Sequence, residues 1–190
     1  ALFRIQQTDP YAQRAISRKL QIFLPHFTKV EVIDDSANNQ YLIQLTDQEG
    51  KIYSSRVLSE GTLRILALCI LEQDPKHQGL LCFEEPENGV HPLRIKAMTQ
   101  LLNDLSSNFG EGDEQLRQVI VNTHSPVLVA YIHQWQEDPH VGIWFAEMRK
   151  RITDVEGVRT GMQVTRIVPV MKENTHQTTL PFTEQERKLS

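Results

Sequence analysis

Two short apolar runs constrain the fold of this chain of 190 residues more than any other feature of its sequence. Residues 80–83 (LLCF) and 119–122 (VIVN) are too short for buried helices, and Gly79 and Pro86 bound the first run. Runs of this kind are typical of central strands in a parallel sheet, which are buried on both faces. A helical pattern at residues 93–105 separates them. The sequence therefore predicts an α/β fold with a mostly parallel sheet flanked by helices.

The residues before these runs predict a helix and then a small antiparallel meander. Asp9 and Pro10 form a helix start, and apolar residues recur at helical spacing up to Pro25. Across residues 27–57, the runs KVEVIDD, YLIQLTD and KIYSS are separated by polar turns, and the first two alternate apolar and polar positions. Ser59 then caps a helix with a nearly continuous apolar face, so we expect that helix to be buried.

Composition and charge fit one globular domain or a piece of one. The chain is 39% hydrophobic with a formal net charge of −4, which argues against an extended polyanion-binding surface but leaves room for a local basic patch. Cys69 and Cys82 both lie in apolar runs, which favours packing roles and a reducing compartment. The sequence shows neither a secretory leader nor an apolar stretch long enough to span a bilayer. We therefore expect a cytoplasmic protein with no membrane partner.

The last third of the chain carries fewer signals. Residues 106–115 have the glycines and charges of a surface loop, and VGIWFAEM and MQVTRIV predict two more strands. Trp144 lies in the first of these strands, where a tryptophan is more often a core residue than a platform for nucleic-acid bases. The polar sequence from Lys172 onward predicts a frayed tail or a linker.

Two groups of polar residues follow the short apolar runs. Glu84 and Glu85 come directly after the first run, at the end of a strand where open α/β sheets place ligand chemistry. If the strand extends that far, their side chains point in opposite directions, so one can face a metal and the other a reacting water. His124 follows the second run, where we expect a ring nitrogen to be able to aim at the same sheet edge. Each group also has a plainer interpretation: the glutamates can be solvated loop residues, and the histidine can be a packing or capping residue.

A third group lies at the start of the helix that Ser59 caps. Ser59, Gly61 and Thr62 in LSEGTLR place backbone N–H groups and hydroxyls at a helix N-terminus, where free donors and the helix dipole favour a phosphate. Every serine-capped helix offers the same donors, so this motif alone is weak evidence.

The order of the three motifs resembles the second half of ABC-type ATPase heads, in the branch with RecF-like, SMC-like and OLD-like proteins, often grouped as AAA_21-like AAA ATPases. LSEGTLR looks like the signature motif, LLCFEEPENGVHP like Walker B with the D-loop, and VIVNTHSP like the switch-histidine loop. The resemblance covers residues 57–132. It implies the C-terminal half of a P-loop NTPase fold over residues 1–171, with residues 172–190 as a tail or linker.

The same resemblance implies roles for individual residues and two cofactors, ATP and Mg²⁺. Glu84 takes the position that holds Mg²⁺, usually through water and usually as Asp, and Glu85 that of the general base for the attacking water. His124 would contact the γ-phosphate or that water. Ser59 and Gly61 would reach a nucleotide bound by a second subunit. Asn88 lies in the D-loop, which is implied to cross the dimer interface with Gly89 and His91.

One expected part of such an ATPase is missing from this sequence. A P-loop needs G-x-x-x-x-G-K followed by Ser or Thr, and no glycine pair in the chain is followed by lysine in that spacing. Three explanations are open: the P-loop lies upstream of Ala1, a separate polypeptide supplies it, or it has been lost. We favour the first, since the chain opens with Ala1 and with elements that suit the middle of a protein.

The resulting functional hypothesis is ATP binding and hydrolysis coupled to dimerisation of two heads. A DNA or nuclease partner in repair or anti-phage defence follows from family analogy alone. An alternative is a non-catalytic half that senses nucleotide and pairs with another subunit, although Glu85 and His124 argue against such degeneration. A divalent-metal nuclease site of the Toprim kind is weaker, because the sequence has no Asp-x-Asp pair at a strand end.

Overall fold

The computed structural model describes residues 1–106, 116–135, 137–155 and 158–170. The chain divides into two compact units, Ala1–Tyr131 and Ile132–Ser190. The helices are α1 (Leu2–Thr8), α2 (Pro10–Phe23), α3 (Glu60–Gln73), α4 (Ile95–Asp104) and α5 (Pro126–His133). The strands are β1 (Phe27–Asp35), β2 (Gln40–Asp47), β3 (Ile52–Ser54), β4 (Gly79–Glu84), β5 (Arg117–Asn122), β6 (Trp144–Val155) and β7 (Val158–Pro169). No helix in the described part of the chain combines the length and apolar character needed to cross a membrane.

The opening of the chain contains two helices where the sequence predicts one. The side chain of Asp9 accepts hydrogen bonds from the backbone N–H groups of Tyr11 and Ala12, which confirms the predicted start of α2 at Pro10. The additional helix is α1, whose seven residues are too few for a periodic pattern to be recognised. Leu2 and Ile5 are its buried residues. Both helices pack against β1.

Strands β1, β2 and β3 form the predicted antiparallel meander. Its core residues Val30, Val32 and Leu45 are at most 6% exposed. The Gln6 side chain in α1 pairs with the backbone of Val32, donating to its carbonyl oxygen at 3.0 Å and accepting from its N–H at 2.7 Å. This sheet is therefore covered by helices that lie next to it in the sequence.

Helix α3 packs against α2 and α4, and it confirms two predictions. The Ser59 side chain caps it by accepting a hydrogen bond from Thr62 N–H at 3.2 Å. Its apolar face is buried, including Cys69, and burial raises the pKa of that thiol to about 12. Lys19 in α2 links neighbouring helices by contacting Glu72 at 2.7 Å and Asp104 at 2.8 Å.

The parallel part of the fold is smaller than predicted. In the described residues β4 pairs only with β5, in the register Leu80–Gln118 to Glu84–Asn122, so the expected mostly parallel sheet is a single parallel pair. The expectation of two buried faces is also wrong, because Leu80 and Ile120 are 55% and 50% exposed. Cys82 shares this exposed face and so does not have the predicted packing role.

The second unit contains a long antiparallel hairpin of β6 and β7, which confirms the two predicted strands. Trp144 begins β6 and is 64% exposed, so the expectation that it belongs to a core is wrong. Among the described residues of this unit β6 pairs only with β7, and a two-stranded hairpin by itself does not bury the side chains on its faces. The predicted loop at residues 106–115, except Ser106, and the predicted boundary between residues 171 and 172 lie outside the described residues, and that boundary stays a prediction.

Candidate functional site

The first part of the candidate site is the turn that follows β4. The strand ends at Glu84, and Glu85 adopts a left-handed backbone conformation with φ of +46°, which is unusual for a residue other than glycine. Its N–H donates to the Asn122 carbonyl oxygen at 2.7 Å, and its own carbonyl oxygen accepts from Asn88 N–H at 3.0 Å. Because Asn122 ends β5, the turn of the acids is tied to the neighbouring strand at the same sheet edge.

Arg64 also holds this turn, a role that was not predicted from the sequence. Its guanidinium donates to the Glu85 carbonyl oxygen at 3.1 Å and to the Glu84 carbonyl oxygen at 3.5 Å, and pairs with Glu60 at 2.8 Å. The available signal was its place in LSEGTLR, about one helical turn after Gly61. Arg64 therefore links the start of α3 to the backbone of both acids that follow β4.

Two glycines bring the start of α3 against the same turn. A Cβ atom on Gly61 would lie 2.7 Å from the Gly89 carbonyl oxygen, closer than real side chains approach backbone. Gly89 itself has a φ of +79°, a conformation in which a side chain is strained. The close approach requires glycine at both positions. It places two sequence motifs, LSEGTLR and FEEPENGVHP, in direct backbone contact within one chain.

The second loop of the site follows β5 and carries His124. Its Nε2 atom lies 3.9 Å from Glu85 Oε1, and the two side chains are 84% and 40% exposed. The Thr123 hydroxyl donates to Glu87 Oε1 and accepts from Ser125 N–H at 2.9 Å. The structure thus brings together the acid and the histidine that the sequence places 39 positions apart.

The remaining predicted site residues are exposed near these loops. Glu84, Asn88 and Ser59 are all exposed, and Ser59 uses its hydroxyl in the cap of α3 and in a 2.9 Å contact with the Thr62 hydroxyl. The sequence predicts opposite directions for the Glu84 and Glu85 side chains if both lie in the strand. Because β4 ends at Glu84, strand alternation does not set the direction of the Glu85 side chain.

Whether the carboxylates suit a magnesium ion depends on the number and chemistry of their donor atoms. In the described part of the chain, no three His, Cys, Asp or Glu side chains are grouped closely enough to hold a metal ion. Mg²⁺ commonly keeps several waters and binds through one or two carboxylates together with substrate phosphates. Glu84 and Glu85, accessible and adjacent, fit that shared type of site and do not form a cage built from protein alone.

Comparison with known proteins identifies the family and the fold of the chain. Residues 3–130 match the AAA_21 family, described as "AAA domain, putative AbiEii toxin, Type IV TA system". A solved chain from work on ATP-driven dimerisation and DNA-stimulated activation of SMC ATPases is 14% identical, with a TM-score of 0.51 over 98% of this chain and 96% of that one.

A second solved structure is the Smc head domain of Pyrococcus furiosus with an extended coiled coil, bound to the C-terminal domain of ScpA. It is also 14% identical, with a TM-score of 0.50, and the match covers 97% of this chain and 38% of that chain. No curated protein sequence matches the chain. The structural likeness shows that the chain has the fold of an SMC ATPase head. Because the family match spans more than half of the residues of this chain, the chain belongs to the AAA_21 family of AAA domains.

Proposed function

We propose that this protein is the catalytic half of an ATPase head that binds and hydrolyses ATP when a P-loop and a second head complete its site. The observation that carries the proposal is the 3.9 Å approach of His124 Nε2 to Glu85 Oε1 at the end of two parallel strands. This edge is where ligand chemistry occurs in open α/β sheets.

In this proposal Glu85 is the general base. Its carboxylate accepts a proton from the attacking water and orients that water towards the terminal phosphate. Arg64 and the Asn122 carbonyl oxygen hold the left-handed turn, and this fixes the backbone position from which the Glu85 side chain extends. His124 is exposed enough to donate a hydrogen bond to the terminal phosphate or the water, which stabilises charge that develops in the transition state.

Glu84 is proposed as the residue that holds Mg²⁺, through water. When bound with the nucleotide, the ion neutralises phosphate charge and orients the leaving group. Glu84 is exposed at the end of β4, so its carboxylate is accessible to a hydrated ion. One carboxylate would then bind the ion and its neighbour would act on the water.

The start of α3 is proposed to bind the nucleotide of a second subunit. Ser59 is exposed and Gly61 is buried against Gly89, so the Ser59 hydroxyl and the backbone N–H groups of the first turn would supply the partial positive charge that suits a phosphate. Asn88 is exposed and precedes Gly89, which contacts this helix start, and this supports assigning Asn88 to the same nucleotide site. Dimerisation of two heads is supported by the first structural relative, which comes from work on ATP-driven dimerisation of SMC ATPases.

The exposed face of the parallel pair supports the need for a further layer. Leu80, Cys82 and Ile120 all lie on it, whereas strands of a parallel sheet are normally covered on both faces. A P-loop segment, from upstream in the same polypeptide or from another one, would extend and cover this pair. The sequence itself offers no such loop.

A biological target is proposed only in outline. The same solved relative concerns DNA-stimulated activation, and the family description mentions a toxin of a type IV toxin–antitoxin system. The first favours DNA as a partner, whereas a nuclease partner and a role in DNA repair or anti-phage defence rest on family analogy alone.

The second candidate function is a nucleotide-sensing interaction module without catalysis. The observation that favours it is the lack of a P-loop in this sequence. It predicts that the completed head binds ATP but does not turn it over, even with Glu85 and His124 intact.

Steady-state ATP hydrolysis with Mg²⁺ separates the candidates. We expect the chain alone to bind ATP weakly and not to turn it over, and the same chain completed by its P-loop segment to hydrolyse ATP. Micromolar binding with steady hydrolysis by the chain alone would contradict the need for completion. Tight binding without hydrolysis by the completed head would favour the sensing module.

A further inference from the structure

The third acid of the FEEPEN stretch has no role in the chemistry proposed above. Glu87 is half-buried, and its Oε1 atom accepts a hydrogen bond from the Thr123 hydroxyl, 36 positions away in the sequence. Glu87 belongs to the same turn as Glu85, and its carbonyl oxygen accepts from Val90 N–H at 2.9 Å. This side-chain bond therefore joins the turn of the acids directly to the loop of the histidine.

Thr123 and Ser125 fix the backbone on both sides of His124. The Thr123 hydroxyl accepts from Ser125 N–H at 2.9 Å while it donates to Glu87. The Ser125 hydroxyl in turn accepts from Leu128 N–H at 3.2 Å in the first turn of α5. The His124 ring is itself 84% exposed, so its position depends on the backbone that carries it.

The surroundings of Glu87 are not those that stability alone would favour. Its second oxygen, Oε2, is shielded from solvent and has no hydrogen-bond partner among the described residues. A buried carboxylate oxygen without a donor costs stability, and such groups are uncommon in proteins unless another requirement keeps them. An uncharged residue would avoid this cost but would give up the strong bond that a carboxylate forms with a hydroxyl.

We infer that Glu87 is a positioning residue: through Thr123 it holds the loop of His124 so that the imidazole stays beside the Glu85 carboxylate. The inference rests on the proposed function, in which His124 and Glu85 act on the attacking water and the terminal phosphate. Glu87 itself acts through Thr123 and touches neither the water nor the phosphate.

Kinetics of the completed ATPase test the inference with three threonine variants. Thr123→Val removes the hydroxyl but keeps the shape, and we expect kcat to fall about 10- to 100-fold with KM for ATP nearly unchanged, because a small misplacement of a reacting group has effects of this size. Thr123→Ser keeps the hydroxyl and should restore most of the rate. Thr99→Val is the matched control, because Thr99 is buried in α4 and donates to the Ile95 carbonyl oxygen at 2.8 Å. It should leave kcat unchanged.

A double-mutant cycle separates positioning from general damage. If Glu87 and Thr123 act through the imidazole, then Thr123→Val and Glu87→Ala should lower kcat much less in a His124→Ala background than in the parental protein. Full additivity of these losses would overturn the inference while leaving the proposed function intact. Inactivity of the parental completed ATPase would instead overturn the proposed function.

A measurement without catalysis tests the same link in the chain itself. Hydrogen exchange of the Ser125 amide reports whether the Thr123 hydroxyl still accepts its hydrogen bond. We expect Glu87→Ala to accelerate that exchange at least about tenfold, with the amides of α4 unaffected. Unchanged exchange at Ser125 in a folded Glu87→Ala variant would overturn the inference, whatever the kinetics show.

Discussion

The antiparallel meander, with its alternating strands, and the parallel pair, with its continuous apolar runs, differ in how their faces are covered. The meander residues Val30 and Leu45 are fully buried, because α1 and α2 pack next to β1. In the parallel pair, Leu80 and Ile120 are half-exposed, and the strand ends carry acids and a histidine. The difference teaches that the two sheets differ in coverage: in the described residues helices bury the meander, whereas one face of the parallel pair, whose edge carries the proposed catalytic residues, is exposed.

The largest effect on stability is expected in the meander. Leu45→Ala should lower the free energy of unfolding by about 2–5 kcal/mol, because it leaves a cavity in a packed core. Urea unfolding of the chain measures this value. Leu80→Ala is the matched control, a leucine in a strand of the other sheet, and a comparable loss for it would contradict the contrast between the two sheets.

An intermediate effect is expected where α3 meets the turn of the acids. Gly61→Ala introduces a Cβ atom 2.7 Å from the Gly89 carbonyl oxygen, so the turn must shift, at a cost of about 1–3 kcal/mol. The rate of hydrogen exchange at the Asn88 and Val90 amides should increase in the same variant. The measurement combines urea unfolding with exchange at these two amides.

The control for this substitution lies in the turn between β2 and β3 of the meander. Gly50 has a φ of +82°, and no atom lies within 4 Å of the position that a Cβ would take, so Gly50→Ala is strained without a clash. It should cost about 1–2 kcal/mol and leave exchange after β4 unchanged. Equal exchange at Asn88 in both alanine variants would mean that the contact of Gly61 with Gly89 does not control the turn.

The smallest effect in the isolated chain is expected on the exposed sheet face. Ile120→Ser should change the free energy of unfolding by no more than about 0.5 kcal/mol, because the side chain is already half in solvent. The same change should weaken association with a P-loop segment, because the burial of apolar surface contributes to the free energy of that association. Titration of the segment against both versions of the chain measures the difference, and equal affinity would count against this face as the covered one.

Much of the fold follows from local patterns in the sequence. The caps at Asp9 and Ser59, the meander and the buried face of α3 depend on neighbouring residues, and each was predicted correctly. The meeting of Glu85 with His124 was also predictable, because the carboxyl ends of parallel strands share one edge of a sheet.

Other features depend on contacts that periodicity does not encode. The apolar run around Cys82 indicates a strand that is covered on both faces, but it does not say which segment covers each face, so the exposure of Cys82 in the described residues could not be predicted. Arg64 and the bond between Glu87 and Thr123 join residues far apart in the chain, and only the fold brings them together. The left-handed backbone of Glu85 has no signal in its own residue type.

The central claim is that Glu85 acts on the water that attacks a bound triphosphate. The most direct test compares ATP turnover and nucleotide retention in the completed head with those of its Glu85→Gln variant, which keeps the shape but removes the base. We predict that turnover falls at least about 100-fold, while ATP stays bound and two heads remain associated. Turnover at the parental rate in the Glu85→Gln variant would contradict the account.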